Sequence, residues 1–273
     1  MERATWNNYL AQTWDKYLPP IRPYAEEISI FKQYIVNFIK DENKIPSILI
    51  LGSTPELRDV VYEFDIIPTV VDFSPENYEG MSLLLRNKGT DNFIESNWLD
   101  MRECNDIRQY DFIFSEAAFN VMNVNAVKQM YHLCSTLLKN NGKLIAKEWI
   151  RFSDTRPCLE DLIKDYRNSN STLGFYSYLC IPLMLLFYDF DNEVIALKDL
   201  DREINKILSS GKITINEQMS VGIHEYRNVD LELYIPSILE FMNDMKEYLN
   251  LRMIHTVHIA HAEFHPIFVY ERR

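Results

Sequence analysis

The 273-residue chain is long enough for one large domain, or for a core domain with a sizeable insertion. Its 47% hydrophobic content excludes wholesale disorder, and a formal net charge of −12 disfavours nucleic-acid partners because phosphate backbones bind basic surfaces. The four cysteines form no CxxC pair, which predicts reduced thiols rather than a disulfide framework.

The N-terminal region predicts two amphipathic helices. Apolar side chains recur every three or four residues over 1–18 and again over 24–40, and the segment LPPIRP between them stops the first helix. The first stretch lacks the apolar core of a signal peptide, so we expect a cytoplasmic protein. Residues 1–46 are interpreted as an N-terminal helical cap.

The next hundred residues alternate short apolar runs with helical segments. The predicted strands are 47–51, 68–73, 92–96, 110–115 and 143–148, and the predicted helices are 54–64, 75–85 and 124–138. Thr54 and Ser74 are the expected N-caps, and a turn is expected over 139–142. This alternation predicts that residues 47–150 form a parallel sheet with helices on both faces.

The pattern becomes mostly helical after residue 150. Helical segments are predicted over 158–168, 172–188, 191–209 and 231–248, with a helix–turn–helix signal near 211–228. The apolar stretch 176–190 is shorter than a membrane span, so it is interpreted as core or as pocket lining, and no membrane partner is expected.

Two β segments, 252–260 and 267–271, end the chain. Residues 151–250 are therefore interpreted as a helical insert or substrate lid, and residues 251–273 as closing strands. The predicted fold is α/β: a Rossmann-like, mostly parallel seven-stranded sheet with an antiparallel closing strand. In this layout the insert lies over the carboxyl edge of the sheet, where open α/β sheets bind ligands.

The turn after the first strand is a candidate ligand site. Gly52 ends the apolar run ILIL, and Asp72 follows at the end of the second strand, where an acidic side chain can bind ribose hydroxyls. An ordinary strand–helix turn with an exposed aspartate is the alternative. Thr54 and Pro55 stand where a pyrophosphate would need glycine, which disfavours NAD, FAD and ATP. A ribose ligand without phosphate, such as S-adenosylmethionine, fits better.

At these residues the chain resembles the class I S-adenosylmethionine-dependent methyltransferases. The resembling stretches are ILILGSTPELR (48–58), TVVDFSPENYEGM (69–81), FIESNWLDM (93–101), YDFIFSEAAFNVM (110–122) and LLKNNGKLIAKE (137–148). The resemblance implies S-adenosylmethionine as the cofactor and methyl transfer as the reaction.

The resemblance also implies a set of cofactor-binding residues after the first four strands. They are Gly52, Ser53 and Thr54 beside the methionine part, Asp72 on the ribose hydroxyls, Phe73, Asn97 and Trp98 around the adenine, and Glu116 and Phe119 facing the sulfonium and the substrate. The chain departs from the family in two ways. Its glycine-rich turn is reduced to Gly52, and Asn97 stands where many members carry an aspartate, although its carbonyl oxygen can still accept a hydrogen bond.

Glu116 is the candidate catalytic base, which the reaction needs only if the acceptor loses a proton during transfer. A carboxylate with no catalytic contact is the alternative. Trp14 and Tyr24 are candidates for closing a substrate pocket, and Arg22 for binding a substrate carboxylate. A core position for Trp14 and a surface position for Arg22 are the alternatives.

The C-terminal segment HTVHIAHAEFH holds four histidines without metal-ligand spacing, so no metal site is expected. One of these histidines is expected to face a substrate pocket. The expected function is methyl transfer to a small-molecule acceptor, with the acceptor atom open between oxygen, nitrogen and carbon. The alternatives are a cofactor-binding protein without activity and methylation of a protein substrate.

Overall fold

The computed structural model describes residues 14, 17–104, 106–169, 171, 173–212 and 231–273. Most of the first predicted helix and most of the helix–turn–helix signal near 211–228 lie outside the described residues.

A seven-stranded sheet forms the centre of the molecule, with the strand order β3-β2-β1-β4-β5-β9-β8. Its strands are β1 (Ile48–Leu51), β2 (Thr69–Asp72), β3 (Asn92–Glu95), β4 (Tyr110–Glu116), β5 (Leu138–Lys147), β8 (Leu249–His255) and β9 (Ile267–Arg272). The first five strands pair in parallel, and β9 runs antiparallel to both β5 and β8. The predicted fold class is therefore confirmed.

Helices cover both faces of the sheet. In chain order they are α1 (Ala25–Glu42), α2 (Pro55–Tyr62), α3 (Pro75–Ser82) and α4 (Val124–Leu137). Ser74 caps α3 as predicted, because its side chain accepts a hydrogen bond from the Asn77 N–H. Thr54 is the N-cap residue of α2, as predicted, but its side chain makes no capping hydrogen bond.

The predicted turn over 139–142 lies within β5 instead of before it. Leu138 already pairs with Tyr110, and the register shifts before Lys143 pairs with Phe112. Asn141 has a φ of 64°, a left-handed conformation that asparagine tolerates better than most residues. The turn residues therefore form an irregularity in the strand.

The insert combines short helices with a two-stranded sheet. Its elements are α5 (Leu159–Asn168), α6 (Phe175–Tyr178), α7 (Cys180–Phe187), β6 (Ile195–Ala196), α8 (Leu197–Ser209), β7 (Glu232–Leu233) and α9 (Ile238–Met245). Helix α7 lies in the core and not in the cavity described below, which favours the core interpretation of 176–190. Within the described residues, no helix is long and apolar enough to cross a membrane.

The predicted strand 252–260 is wrong at its C-terminal end. Strand β8 ends at His255, and the chain then turns before a 3-10 helix at Ala262–Phe264. Of the four C-terminal histidines, only His255 therefore lies in a strand.

Candidate functional site

A cavity opens at the carboxyl ends of β1, β2 and β4, where the sequence predicted a ligand site. Its volume is about 890 Å³ when the open space at its mouth is included. The residues that line it are Trp14, Ile21, Leu51, Gly52, Ser53, Thr54, Asp72, Phe73, Ser74, Asn77, Met81, Trp98, Glu116, Ala117, Ala118, Asn120, Val121, Trp149, Leu197 and Leu233.

The Gly52 turn forms the cavity wall next to β1. Gly52 has a φ of +86°, which glycine adopts without strain, and its N–H donates to the Val71 carbonyl at 2.9 Å. The same carbonyl accepts from Nε1 of Trp98 at 2.7 Å. The Trp98 ring lies 3.5 Å from where a Cβ on Gly52 would be. The Val71 carbonyl therefore links the Gly52 turn to the Trp98 indole.

Asp72 is buried at the centre of a hydrogen-bond network. Its Oδ2 accepts from Ser53 Oγ at 2.6 Å and from Asn77 Nδ2 at 2.9 Å, and its Oδ1 accepts from the Ser74 N–H at 3.1 Å. Burial raises the pKa of Asp72, although the Ser53, Ser74 and Asn77 donors offset part of that effect. Each carboxylate oxygen can accept two bonds, so Oδ1 has capacity for a ligand hydroxyl.

Several polar groups of the cavity residues have no partner within the described part of the chain. The N–H groups of Ser53 and Thr54 make no hydrogen bond there. Two buried side-chain atoms, Asn77 Oδ1 and Trp149 Nε1, also have no partner. Buried polar groups usually bind a protein group, water or a ligand, so these atoms are candidates for ligand contacts.

Glu116 lines the cavity and is the last residue of β4. Its Oε1 accepts from Lys147 Nζ at 3.1 Å. Burial raises the pKa of Glu116 to about 7; Lys147 opposes this shift, and the charges of Glu27 and Glu56 add to it. The predicted catalytic residue therefore titrates near neutral pH, as a general base requires.

Asn120 and Trp149 are cavity residues that the sequence did not single out. Trp149 follows β5, and its N–H donates to Asn120 Oδ1 at 2.8 Å. The Asn120 amide donates in turn to the carbonyls of Trp149 at 2.9 Å and Tyr234 at 2.8 Å. One buried side chain thus joins the ends of β4 and β5 to the insert.

The N-terminal candidates have different positions. Trp14 lines the cavity, and its Nε1 donates to Glu56 Oε1 at 3.2 Å. Arg22 Nε donates to the same Glu56 oxygen at 2.5 Å, so this guanidinium binds a carboxylate of the protein. Tyr24 stacks on His265 outside the cavity. These contacts do not test the substrate roles of Arg22 and Tyr24, which stay predictions.

Two predicted cofactor residues also lie outside the cavity lining. Phe119 is buried against the rings of Tyr131 and Phe241, and its predicted position facing the sulfonium and the substrate stays a prediction. Asn97 uses its side-chain oxygen to accept from the Leu99 N–H at 3.2 Å, at the start of the 3-10 helix Trp98–Glu103. Its predicted oxygen contact with adenine is therefore not favoured.

The C-terminal histidines do not line the cavity. His265 Nδ1 lies 2.8 Å from Glu27 Oε1, and His261 Nε2 lies 3.2 Å from Asp165. Among the described residues, no group of three or more His, Cys, Asp or Glu side chains could hold a metal ion. None of the four is among the residues that line the cavity, and the expectation that one of them faces a substrate pocket stays a prediction.

Solved structures with low sequence identity share this fold. The CcbJ methyltransferase from Streptomyces caelestis is 10% identical, with 100% of this chain and 99% of that chain covered and a TM-score of 0.62. The PH0226 protein from Pyrococcus horikoshii is 11% identical, with 98% and 100% covered and a TM-score of 0.56.

The 1,6-didemethyltoxoflavin-N1-methyltransferase from Burkholderia thailandensis, solved with S-adenosylhomocysteine, is 8% identical, with 97% and 85% covered and a TM-score of 0.53. No protein-family model and no curated protein matches the sequence. The order of the seven strands, the antiparallel β9 and these similarities agree, and the chain therefore has the fold of the class I methyltransferases.

Proposed function

We propose that the protein is an S-adenosylmethionine-dependent methyltransferase that acts on a small-molecule acceptor. The observation that carries this proposal is one cavity that joins the Gly52 turn, the buried Asp72 and the Glu116 carboxyl at the carboxyl edge of the sheet. The fold and the methyltransferase names of two similar structures support it.

The cavity residues fit the parts of S-adenosylmethionine. The N–H groups of Ser53 and Thr54 suit its carboxylate, since backbone donors before a helix bind anions. The free capacity of Asp72 Oδ1 suits a ribose hydroxyl, and the Phe73 and Trp98 rings suit the adenine. Pro55 supplies no N–H, which limits the donors for a pyrophosphate.

The charges of the cavity favour an acceptor without a negative charge. Among its described lining residues, Asp72 and Glu116 are the charged ones, and none is Lys, Arg or His. An anionic acceptor would lose its hydration and find no cationic side chain among these described lining residues to replace it. The other lining side chains are mostly apolar, so we propose a neutral or cationic molecule with an apolar body.

The cover of the cavity favours a small acceptor over a macromolecule. Trp14 and Ile21 from the N-terminal region and Leu197 and Leu233 from the insert contribute to the lining above the sheet edge. These apolar side chains would exclude water and align the acceptor, which supplies much of the rate of a methyl transfer.

S-adenosylmethionine supplies a methyl group on a sulfonium that is already a good leaving group. The remaining chemical task for the protein is to remove a proton from an acceptor hydroxyl or amine. We propose Glu116 for this task, because it lines the cavity and its pKa of about 7 lets it accept a proton near neutral pH.

Calorimetric titration tests the cofactor first. We expect S-adenosylmethionine and S-adenosylhomocysteine to bind and NAD to give no heat. Binding of NAD alone would contradict the proposal. A second assay measures S-adenosylhomocysteine release with a panel of neutral, cationic and anionic small molecules. Cofactor binding without turnover on any of them, or turnover only with a protein fraction, would favour the two alternatives given by the sequence.

A further inference from the structure

A buried lysine connects the cavity to a carboxylate outside it. Lys147 is 0% exposed, and its Nζ lies 3.1 Å from Glu116 Oε1, 3.2 Å from Glu27 Oε2 and 2.9 Å from the Pro20 carbonyl oxygen. An ammonium group has three N–H donors, so these contacts use all of them. Glu27 lies on α1 and does not line the cavity.

The two carboxylates share one positive charge, and their other partners decide which of them keeps the negative charge. Glu27 Oε2 also accepts from the Tyr24 N–H at 2.7 Å, and Oε1 accepts from His265 Nδ1 at 2.8 Å. Glu116 has Lys147 as its single side-chain donor among the described residues. Hydrogen bonds to a carboxylate favour its charged form, so Glu27 stays ionised and Glu116 holds the proton more readily.

We propose that Glu27 is a positioning residue that governs the protonation of Glu116 through Lys147. The effect of Glu27 on catalysis rests on the proposed function, in which Glu116 acts as the base. The other titratable groups that face this cluster or act on it through charge are Tyr24, Glu56, Glu148, Cys180 and His265.

The pKa shifts agree with this division. Burial would raise the pKa of Glu27, but Lys147 and His265 lower it below its usual value. Burial raises the pKa of Glu116 to about 7, and the charge of Glu27 is one of the causes. Burial lowers the pKa of His265, so its ring is neutral and donates from Nδ1. Glu116 is therefore an acid below about pH 7 and a base above it.

The test is a carboxyl-carbon NMR titration of the full chain labelled with ¹³C at glutamate, with Glu116→Gln used to assign the Glu116 signal. We expect a Glu116 midpoint near pH 7 in the wild type. In Glu27→Gln the charge of Lys147 is no longer shared, and we expect the midpoint to fall by about one pH unit or more. Glu26→Gln, an exposed neighbour on the same helix, should leave it unchanged.

Glutamine at position 27 can keep the bond to the Tyr24 N–H, so this variant preserves the start of α1. If it does not fold, His265→Phe provides the second test: it removes one donor from Glu27, and the Glu116 midpoint should fall by a smaller amount. A midpoint that stays near pH 7 in the folded variants would overturn the inference.

Calorimetry with S-adenosylhomocysteine on the same variants separates this inference from the proposed function. An unchanged midpoint with retained binding would contradict the control by Glu27 alone. If the midpoint falls in Glu27→Gln but the wild-type protein binds no S-adenosylhomocysteine, the control by Glu27 is supported and the methyltransferase proposal is contradicted.

Discussion

Ser53 donates a 2.6 Å hydrogen bond to Asp72, and this bond joins the turn after β1 to the end of β2. Both side chains are buried, and both line the cavity. The position of the free N–H groups in the turn therefore depends on the carboxylate at the end of the neighbouring strand. The Gly52 turn and the Asp72 carboxylate, which form the two halves of the proposed cofactor site, are therefore held together by this hydrogen bond.

Asp72→Asn should weaken S-adenosylhomocysteine binding by about 10- to 100-fold, measured by calorimetry, because hydrogen bonds to a charged group contribute about 1.5–3 kcal/mol. Glu95→Gln is the matched control, since Glu95 pairs with Asp72 in the sheet but is exposed and outside the cavity lining. Equal affinity for the wild type and Asp72→Asn would show that Asp72 does not contact the ligand.

Gly52→Ala should lower the free energy of unfolding by about 1–2 kcal/mol in urea, because an L-residue is strained at a φ of +86°. The added Cβ meets Trp98 at an ordinary 3.5 Å, so the cost comes from the backbone. Gly211→Ala is the control: its φ is +70°, and no described atom lies within 4 Å of its added Cβ. We expect a similar loss of stability in both variants and weaker S-adenosylhomocysteine binding in Gly52→Ala alone.

The raised pKa of Glu116 should make the wild type lose stability as the pH rises. An unfolded glutamate loses its proton near pH 4.5, whereas the native residue keeps it to about pH 7. Between these values the native state binds more protons, so the free energy of unfolding falls with pH. Relative to Glu116→Gln, the wild type should lose about 3 kcal/mol between about pH 5 and about pH 8. Urea unfolding of both proteins across this pH range tests the prediction. If their free energies of unfolding change with pH in parallel, the prediction is contradicted.

Lys147→Met should destabilise the protein by about 3–5 kcal/mol in urea, because it leaves two buried carboxylates without their shared cation. Lys128→Met removes an exposed ion pair with Asp244 and should cost less than about 1 kcal/mol. Similar losses of stability in the two variants would mean that the buried cluster contributes no more to the free energy of unfolding than a surface ion pair does.

The sequence was sufficient for the sheet and for the turn that forms one side of the cavity. Alternating apolar runs identified the strands, and Gly52 and Asp72 stand at fixed positions relative to β1 and β2. These signals are local, since each depends on residues within one strand–turn–helix unit. Phe73, Trp98 and Glu116 were implied by the resemblance to the methyltransferases, and they also line the cavity.

The contacts between distant segments were not predictable in this way. Glu27 on α1 pairs with Lys147 at the C-terminal end of β5, and neither residue belongs to a motif. Arg22 was a candidate for binding a substrate carboxylate, but in the folded chain its guanidinium donates to the Glu56 carboxylate. Phe119 follows β4 as a ligand residue would, yet packing against Phe241 of the insert turns it into the core.

The Asn120 bonds have a consequence for how ligands reach the cavity. Asn120 also accepts from the Tyr234 N–H through its main-chain oxygen at 2.8 Å, so main-chain groups fix the insert to the sheet edge on this side. In the described part of the N-terminal region, side chains make the hydrogen bonds on this side of the cavity, from Trp14 and Arg22 to Glu56 and from Lys147 to the Pro20 carbonyl. Side-chain attachments exchange more easily than a buried main-chain network. We therefore expect the N-terminal side to be the route of association and release, and its opening to set how fast ligands exchange.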